Sequence, residues 1–177
     1  MIMKFAKSLL LLIMLCPIIS QAQAEHPKLS EEEAAIMAVI TEQTRAYFER
    51  DYEAWLNAHV TTDYYTEHKY WNGWSEKVRT TSGWTAHEAQ AKKRFDPKKP
   101  KSKWNEAQYV RSDVNIRISK AGDMAWATYA QKAVDPETGD IVGESFETRV
   151  MEKHDGLWKI AYLGYHYLPK ENPPAHN

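Results

Sequence analysis

The sequence predicts an α+β domain in which N-terminal helices pack on one face of an antiparallel sheet. Three observations carry this. Apolar residues recur at helical spacing through the first third of the domain; the period changes to two from Val114 onward; and the alternating runs of the second half are joined by short turns, which make an antiparallel meander.

Before the domain stands a targeting segment. Lys4 and Lys7 form a positive start, Leu9 to Leu15 a short apolar run, and Gln21-Ala22-Gln23-Ala24 ends in the small-x-small pattern of a cleavage site. Residues 1–24 therefore read as a signal peptide cleaved between Ala24 and Glu25, and the mature protein is expected to be exported, periplasmic or secreted. The apolar run falls short of the roughly 20 residues that span a bilayer. An uncleaved anchor and lipid attachment at Cys16 are the alternatives; attachment calls for a small residue before the cysteine, where Leu15 stands.

Cys16 is the only cysteine, so the mature domain has no disulfide, no thiolate metal site and no cysteine nucleophile. Removing the signal takes 23 basic residues to 21 against 24 acidic ones, and the net charge from −1 to −3. That balance gives no reason to expect nucleic acid or an anionic membrane as partner. Residues 25–168 read as one domain and 169–177, with Pro173-Pro174, as a disordered tail.

The elements follow in order. Ser30 with Glu33 is a capping box ahead of Ile36, Val39, Ile40, Gln43 and Tyr47, an amphipathic helix over 30–50. Asp51 caps a second helix with Tyr52, Trp55, Leu56 and His59 on one stripe, broken by Thr61-Thr62-Asp63. Tyr64 to Trp71 is an aromatic-rich strand closed by Asn72-Gly73. Thr85 starts a third helix, Ala86 to Phe95, ending before Asp96-Pro97. Val114, Ile116 and Ile118 alternate with polar residues. Met124 to Val134 places Trp126 and Thr128 on one face and Ala127 and Tyr129 on the other. A loop at 135–140 leads to a strand from Ile141 to Lys153, and a turn at His154-Asp155-Gly156 leads to the last, Leu157 to Leu168.

This order resembles the nuclear transport factor 2-like superfamily, in particular its SnoaL-like branch, over nearly all of 31–168. The stretches that carry the resemblance are Arg50-Asp51-Tyr52-Glu53-Ala54-Trp55, Gly83-Trp84, and the closing hairpin. In that hairpin Glu147-Thr148-Arg149-Val150-Met151-Glu152-Lys153 runs through Asp155-Gly156 into Leu157-Trp158-Lys159-Ile160. The resemblance implies a cone-shaped, cystatin-like α+β roll with a strongly curved sheet, a blind pocket between helices and concave face, and a homodimer on the outer face. It implies no single reaction, since such folds include isomerases, dehydratases, hydrolases, cyclases and non-catalytic modules.

The densest polar-aromatic cluster runs from His59 to Trp71, and the resemblance sets it at the pocket mouth. There Asp63 and His68 are candidate proton-transfer groups, Tyr64 a candidate donor to a developing oxyanion, and His59 a candidate ligand contact. The competing reading is packing, since aromatic residues on strands are ordinary core. Glu147 and Arg149 share a strand face with Ser145 and Met151. On a concave face they would be paired, with Arg149 a clamp for a ligand carboxylate and Glu147 a candidate base whose proton affinity burial would raise; on a convex face they would be a surface charge ladder. Of seven tryptophans, Trp84 and Trp126 are the candidates for an apolar site, and Trp55 and Trp158 for the core.

The seven histidines show no His-x-His or His-x3-His spacing, so no metal and no cofactor is expected. No phosphate loop, dinucleotide fingerprint or nucleophile elbow is present. The basic run Lys92-Lys93-Arg94 with Lys98, Lys99, Lys101 and Lys103 reads as a solvated loop. The first functional reading is therefore an exported pocket for a small, partly apolar ligand. The second is a metal-independent enzyme doing proton transfer in that pocket, and the third a homodimeric assembly module.

Overall fold

A computed structural model of the chain describes residues 29–71, 78–100 and 106–168. The signal segment, the tail, the Asn72-Gly73 turn, Trp74, Trp104, Lys101 and Lys103 lie outside the described residues. The elements are α1 (Glu31–Glu49), α2 (Tyr52–Asn57), β1 (Thr66–Trp71), β2 (Val78–Ser82), α3 (Trp84–Arg94), β3 (Gln108–Ile118), β4 (Met124–Val134), β5 (Ile141–His154) and β6 (Leu157–Tyr167). The sheet order is β2-β1-β6-β5-β4-β3, and the helices pack on one side of it.

Local chemistry starts each helix. The Ser30 hydroxyl accepts from the Glu33 amide at 3.3 Å while the Glu33 carboxylate accepts from the Ser30 amide at 2.8 Å, so the capping box is complete. Asp51 caps α2 by accepting from the Ala54 amide at 3.1 Å. α3 begins differently. Its N-cap is Gly83 at φ 82°, a conformation that suits glycine, and no side chain caps it. Instead the Gly83 and Trp84 amides donate to the Tyr65 and Thr62 carbonyls at 2.8 and 3.1 Å, which ties the start of α3 to the turn before β1. The helix starts one residue before Thr85 because these carbonyls do the capping.

β3 to β6 form the expected antiparallel meander. Three register shifts break it, at Ser112/Asn115, at Ala133/Val134 and at Val150/Met151. Each inserts a residue on one strand, and such bulges bend and twist the sheet around what it encloses. At the first, Asp113 takes φ 54°.

Two features differ from the sequence reading. β2 is an additional edge strand, antiparallel to β1; Val78-Arg79-Thr80-Thr81-Ser82 has no apolar alternation and buries only Thr81. β1 also pairs in parallel with β6. Everything from β2 to β5 lies between them in the chain, which is the long crossover a parallel pair needs.

The core has two parts. Ile36 and Ile40 of α1 meet Ala125, Ala127 and Tyr129 of β4, Met151 of β5 and Ile160 of β6 in the larger one. Ala46, Trp55, Ala91 and Phe95 form the smaller one between the three helices. Trp55, at 2% exposure, and Trp158, at 5%, are core residues. Beyond the helices, Arg50 donates to the carbonyls of Asp96 (3.3 Å), Lys99 (2.5 Å) and Pro100 (2.7 Å), fixing the chain that leaves α3.

Candidate functional site

The inner face of β5 is polar where a core would be apolar. Ser145, Glu147, Arg149 and Met151 all turn inward and are buried, while Phe146, Thr148 and Val150 turn out. Glu147 and Arg149 are each 4% exposed and pair at 2.8 Å. Ser145 Oγ donates to Glu147 at 2.6 Å, and Gln131 Nε2 stands 3.4 Å from the same oxygen. Arg149 donates to the carbonyls of Thr148 and Gly164 at 3.0 and 3.4 Å, and its guanidinium lies 5.7 Å from the Tyr129 ring centre. Burial works against the Arg149 charge, yet the neighbouring Tyr129 and Glu147 hold its proton affinity above the ordinary guanidinium value. Burial pushes the Tyr129 phenol up to about 12.

β1 contributes a second buried carboxylate. Glu67 is 4% exposed. Lys69 Nζ lies 2.8 Å from it and the Tyr165 hydroxyl 3.5 Å. His87 Nδ1 of α3 stands 3.5 Å from Glu67 Oε2, within ion-pair distance but without hydrogen-bond alignment. Burial favours the neutral acid at Glu67, but His87 and Lys69 outweigh it and lower the group to about 2, so it is a carboxylate at neutral pH.

Behind this carboxylate sits a nest of rings. His87 is stacked on Trp55 (5.1 Å) and tilted against Tyr65 (4.4 Å); Trp84 and His59 complete the group, at 5.5 and 4.6 Å from Trp55. His59 is fully buried, and its Nδ1 lies 2.6 Å from the Trp55 carbonyl. A carbonyl only accepts, so Nδ1 carries the proton and Nε2 is a lone pair with no partner among the described residues. Burial pushes His59 down to about 3.

Between helices and sheet lies a cavity of about 350 Å³. Glu67, His87, Glu147, Arg149 and Leu163 line its inner end, and Gln43, Thr44 and Gln131 add amide and hydroxyl groups. Its aromatic walls are Tyr47, Phe48, Trp55, Tyr165 and Tyr167. Arg79 of β2 and Lys93 and Arg94 of α3 also line it; Arg79 and Lys93 are exposed, and Arg94 lies 5.1 Å over the Tyr47 ring. Among the described residues no cluster of His, Asp and Glu is arranged to hold a metal ion.

Of the candidate catalytic and ligand-binding residues read from sequence, Glu147 and Arg149 line the cavity and the others do not. His59 and Trp84 belong to the ring nest beside it. Asp63 is exposed, and Tyr64, 56% exposed, donates to Glu152 at 2.7 Å. His68 lies on the outer side of β1, its Nδ1 3.1 Å from the Tyr162 hydroxyl. Trp126 is 55% exposed on the outer face of β4. Strand alternation is the reason for the outward placements: with Glu67 and Lys69 inward His68 must point outward, and with Ala127 and Tyr129 inward so must Trp126. In the turn before β1 it is Tyr65, not Tyr64, that is buried. The oxygens of Glu147, the candidate base, are engaged by Arg149, Ser145 and Gln131.

Glu67, Lys69, His87 and Arg79 do not stand out in the sequence, where Lys93 and Arg94 read as part of a solvated loop. The available signals were the inward parity Tyr65, Glu67, Lys69 and the helical stripe Trp84, His87, Ala91. Lys93 and Arg94 also complement the dipole at the C-terminus of α3, which is reason enough for basic residues there.

The SnoaL-like domain family model matches residues 36–166. No curated protein sequence matches the chain. Among solved structures, the fold is similar to a cystatin-like protein of unknown function from Nostoc punctiforme, at TM-score 0.59 and 14% identity, covering 81% of this chain and 96% of that one. A CaMKII hub from S. rosetta gives 0.54 at 17% identity, over 80% and 100% of the two chains. A putative ketosteroid isomerase from Shewanella frigidimarina gives 0.51 at 17%, over 76% and 97%.

Stability should depend on pH through His59. The folded protein holds it neutral with a value of about 3, whereas an unfolded histidine titrates near 6.5. Between those values only the unfolded chain binds the proton, so stability is full above about 6.5 and falls as pH drops, by up to about 1.4 kcal/mol per pH unit. Urea midpoints measured from pH 7 to pH 5 should decline. In His59→Asn, whose amide can replace the Nδ1 donor without titrating, the decline over this range should flatten.

Proposed function

The chain belongs to the SnoaL-like domain family, and on that premise we propose that it is an exported binder of a small, planar, partly apolar ligand that carries an anionic group. The observation that supports this is the charge balance of the cavity. Lys69, Arg79, Lys93, Arg94 and Arg149 line it against two carboxylates, Glu67 and Glu147, and each carboxylate is already paired, with Lys69 and Arg149. Among the described residues, Arg79, Lys93 and Arg94 are the surplus. The volume is at the small end of the range for ligand sites, about 300–1,000 Å³. Aromatic walls offer stacking area to a flat ring while Arg149 and the surplus cations receive its charge. Export rests on the signal segment at residues 1–24.

A second copy of the chain is the other partner we propose. The outer face of the sheet carries Val110, Met124, Trp126 and Phe146, each between 44% and 55% exposed. Similarity of fold to a CaMKII hub supports an assembly surface on this scaffold.

Two measurements check this reading. In a thermal-shift titration of residues 25–177, benzoate should raise the melting temperature by several degrees and its neutral isostere benzamide should not; a ligand at one hundred times Kd adds about 2.7 kcal/mol. Equal response to both, or to neither, contradicts the charge argument. Light scattering at micromolar concentration should show a dimer that Trp126→Glu converts to a monomer; a monomeric natural protein contradicts the second partner.

A further inference from the structure

The geometry points to a clamp for a doubly charged group at the exposed end of the cavity: Lys69, Arg79, Lys93 and Arg94 hold a phosphate monoester whose flat ring lies against the aromatic walls. This rests on the reading of the cavity as a ligand site and names the class of ligand.

Two strands begin the clamp. In the antiparallel register of β1 and β2, Lys69 stands directly opposite Arg79 and Glu67 opposite Thr81. Lys69 and Arg79 both line the cavity, so two cations face each other across the strands, an arrangement that is destabilising. Glu67 relieves one of them, 2.8 Å from Lys69 Nζ. Among the described residues Arg79 has no ion-pair or hydrogen-bond partner. A charge on an edge strand discourages pairing with a second sheet. Either sign would serve for that, whereas Arg79 repeats the sign opposite it.

α3 supplies the other two cations. Gln90 Nε2 donates to Thr81 Oγ1 at 3.0 Å, which ties the helix to β2. Lys93 and Arg94 follow Gln90 by three and four residues, the spacing of one helix face, and Arg79 shares the strand face of Thr81. Strand and helix therefore bring their cations to one cavity. Arg79 and Lys93 are exposed and the Lys69 side chain is 15% exposed, so these groups are open to an arriving ligand. The α3 dipole gives Lys93 and Arg94 a reason to be there; it gives Arg79 none.

The four cations stand against a single carboxylate, Glu67, on these elements. A benzoate head brings one charge and two oxygens in a plane. A phosphate monoester brings close to two charges above its second pKa of about 6, and three terminal oxygens pointing in different directions. That suits donors arriving from two strands and a helix. Arg94 lies 5.1 Å from the Tyr47 ring centre and Lys69 5.2 Å from that of Tyr165, so charge and stacking surface adjoin.

Titration calorimetry at neutral pH should compare phenyl phosphate, benzenesulfonate, which has a tetrahedral head with one charge, and benzoate. Phenyl phosphate should bind at least about tenfold more tightly than either of the others. Its advantage over benzenesulfonate should shrink from pH 8 to pH 5, as the phosphate takes its second proton. Arg79→Gln and Lys93→Gln, both at exposed positions, should each bring phenyl phosphate to within about threefold of benzenesulfonate. Arg79→Gln should also unfold at a urea midpoint no lower than that of the natural protein, because it removes the like charge opposite Lys69. Equal binding of phosphate and sulfonate, a difference that ignores pH, a preference unchanged in both variants, or a lowered midpoint in Arg79→Gln overturns the clamp. Benzoate binding without a preference for phenyl phosphate overturns the clamp and leaves the cavity reading standing; binding of none of the three overturns both.

Discussion

An arginine buried beneath the helices constrains the rest of this molecule. Arg149 cannot shed its charge and cannot reach bulk water, so the fold has to surround it with compensating groups. Glu147 supplies the opposite charge, two strand carbonyls accept from the guanidinium, and the Tyr129 ring lies beside it. Ser145 and Gln131 are then needed to satisfy Glu147. One charged position thereby makes the inner face of β5 polar, with Gln131 of β4 beside it, and the helices close over that region without filling it. Buried ion pairs of this kind are weak evidence for stability, because desolvation offsets their attraction. Their presence is better explained by what the cavity must receive.

The same constraint divides the molecule. At one end of the inner face α1 meets an apolar core through Ile36 and Ile40; further along, the α1 residues that line the cavity are Gln43, Thr44, Tyr47 and Phe48. The ring nest of Trp55, His59, Tyr65, Trp84 and His87 joins the parts, since Tyr65 belongs to the larger core, Trp55 to the smaller, and Trp84 packs against both. It also holds the start of α3 and the turn before β1 together, and so fixes the separation between His87 and Glu67. Burial of so many rings supplies the area that carries the cost of the polar cavity nearby.

Most of the fold was legible in the sequence because its signals are local. The Ser30–Glu33 box, the Asp51 cap and the alternation through β4, β5 and β6 each reside in a few neighbouring residues. β2 was not legible: an edge strand needs no apolar alternation, and its partner, not its composition, makes it a strand. The parallel pairing of β1 with β6 was hidden for the same reason, being a property of the crossover. For the site, strand parity gave Glu147 and Arg149 a common face with Ser145 and Met151, but only the packed sheet says which face is inside. His68 and Trp126 drew attention by chemical type and were turned outward by their neighbours, while Glu67 and His87, an ordinary acid and a scattered histidine, become a pair only when β1 meets α3.

The buried charge serves the site and not the fold. The direct measurement is the unfolding free energy and benzoate affinity of the double variant Glu147→Leu/Arg149→Met. The double variant should be as stable as the natural protein, or up to about 3 kcal/mol more so, and should bind benzoate at least about tenfold more weakly, a difference of about 1.4 kcal/mol. A double variant that loses several kcal/mol of stability, or that binds benzoate unchanged, would contradict it.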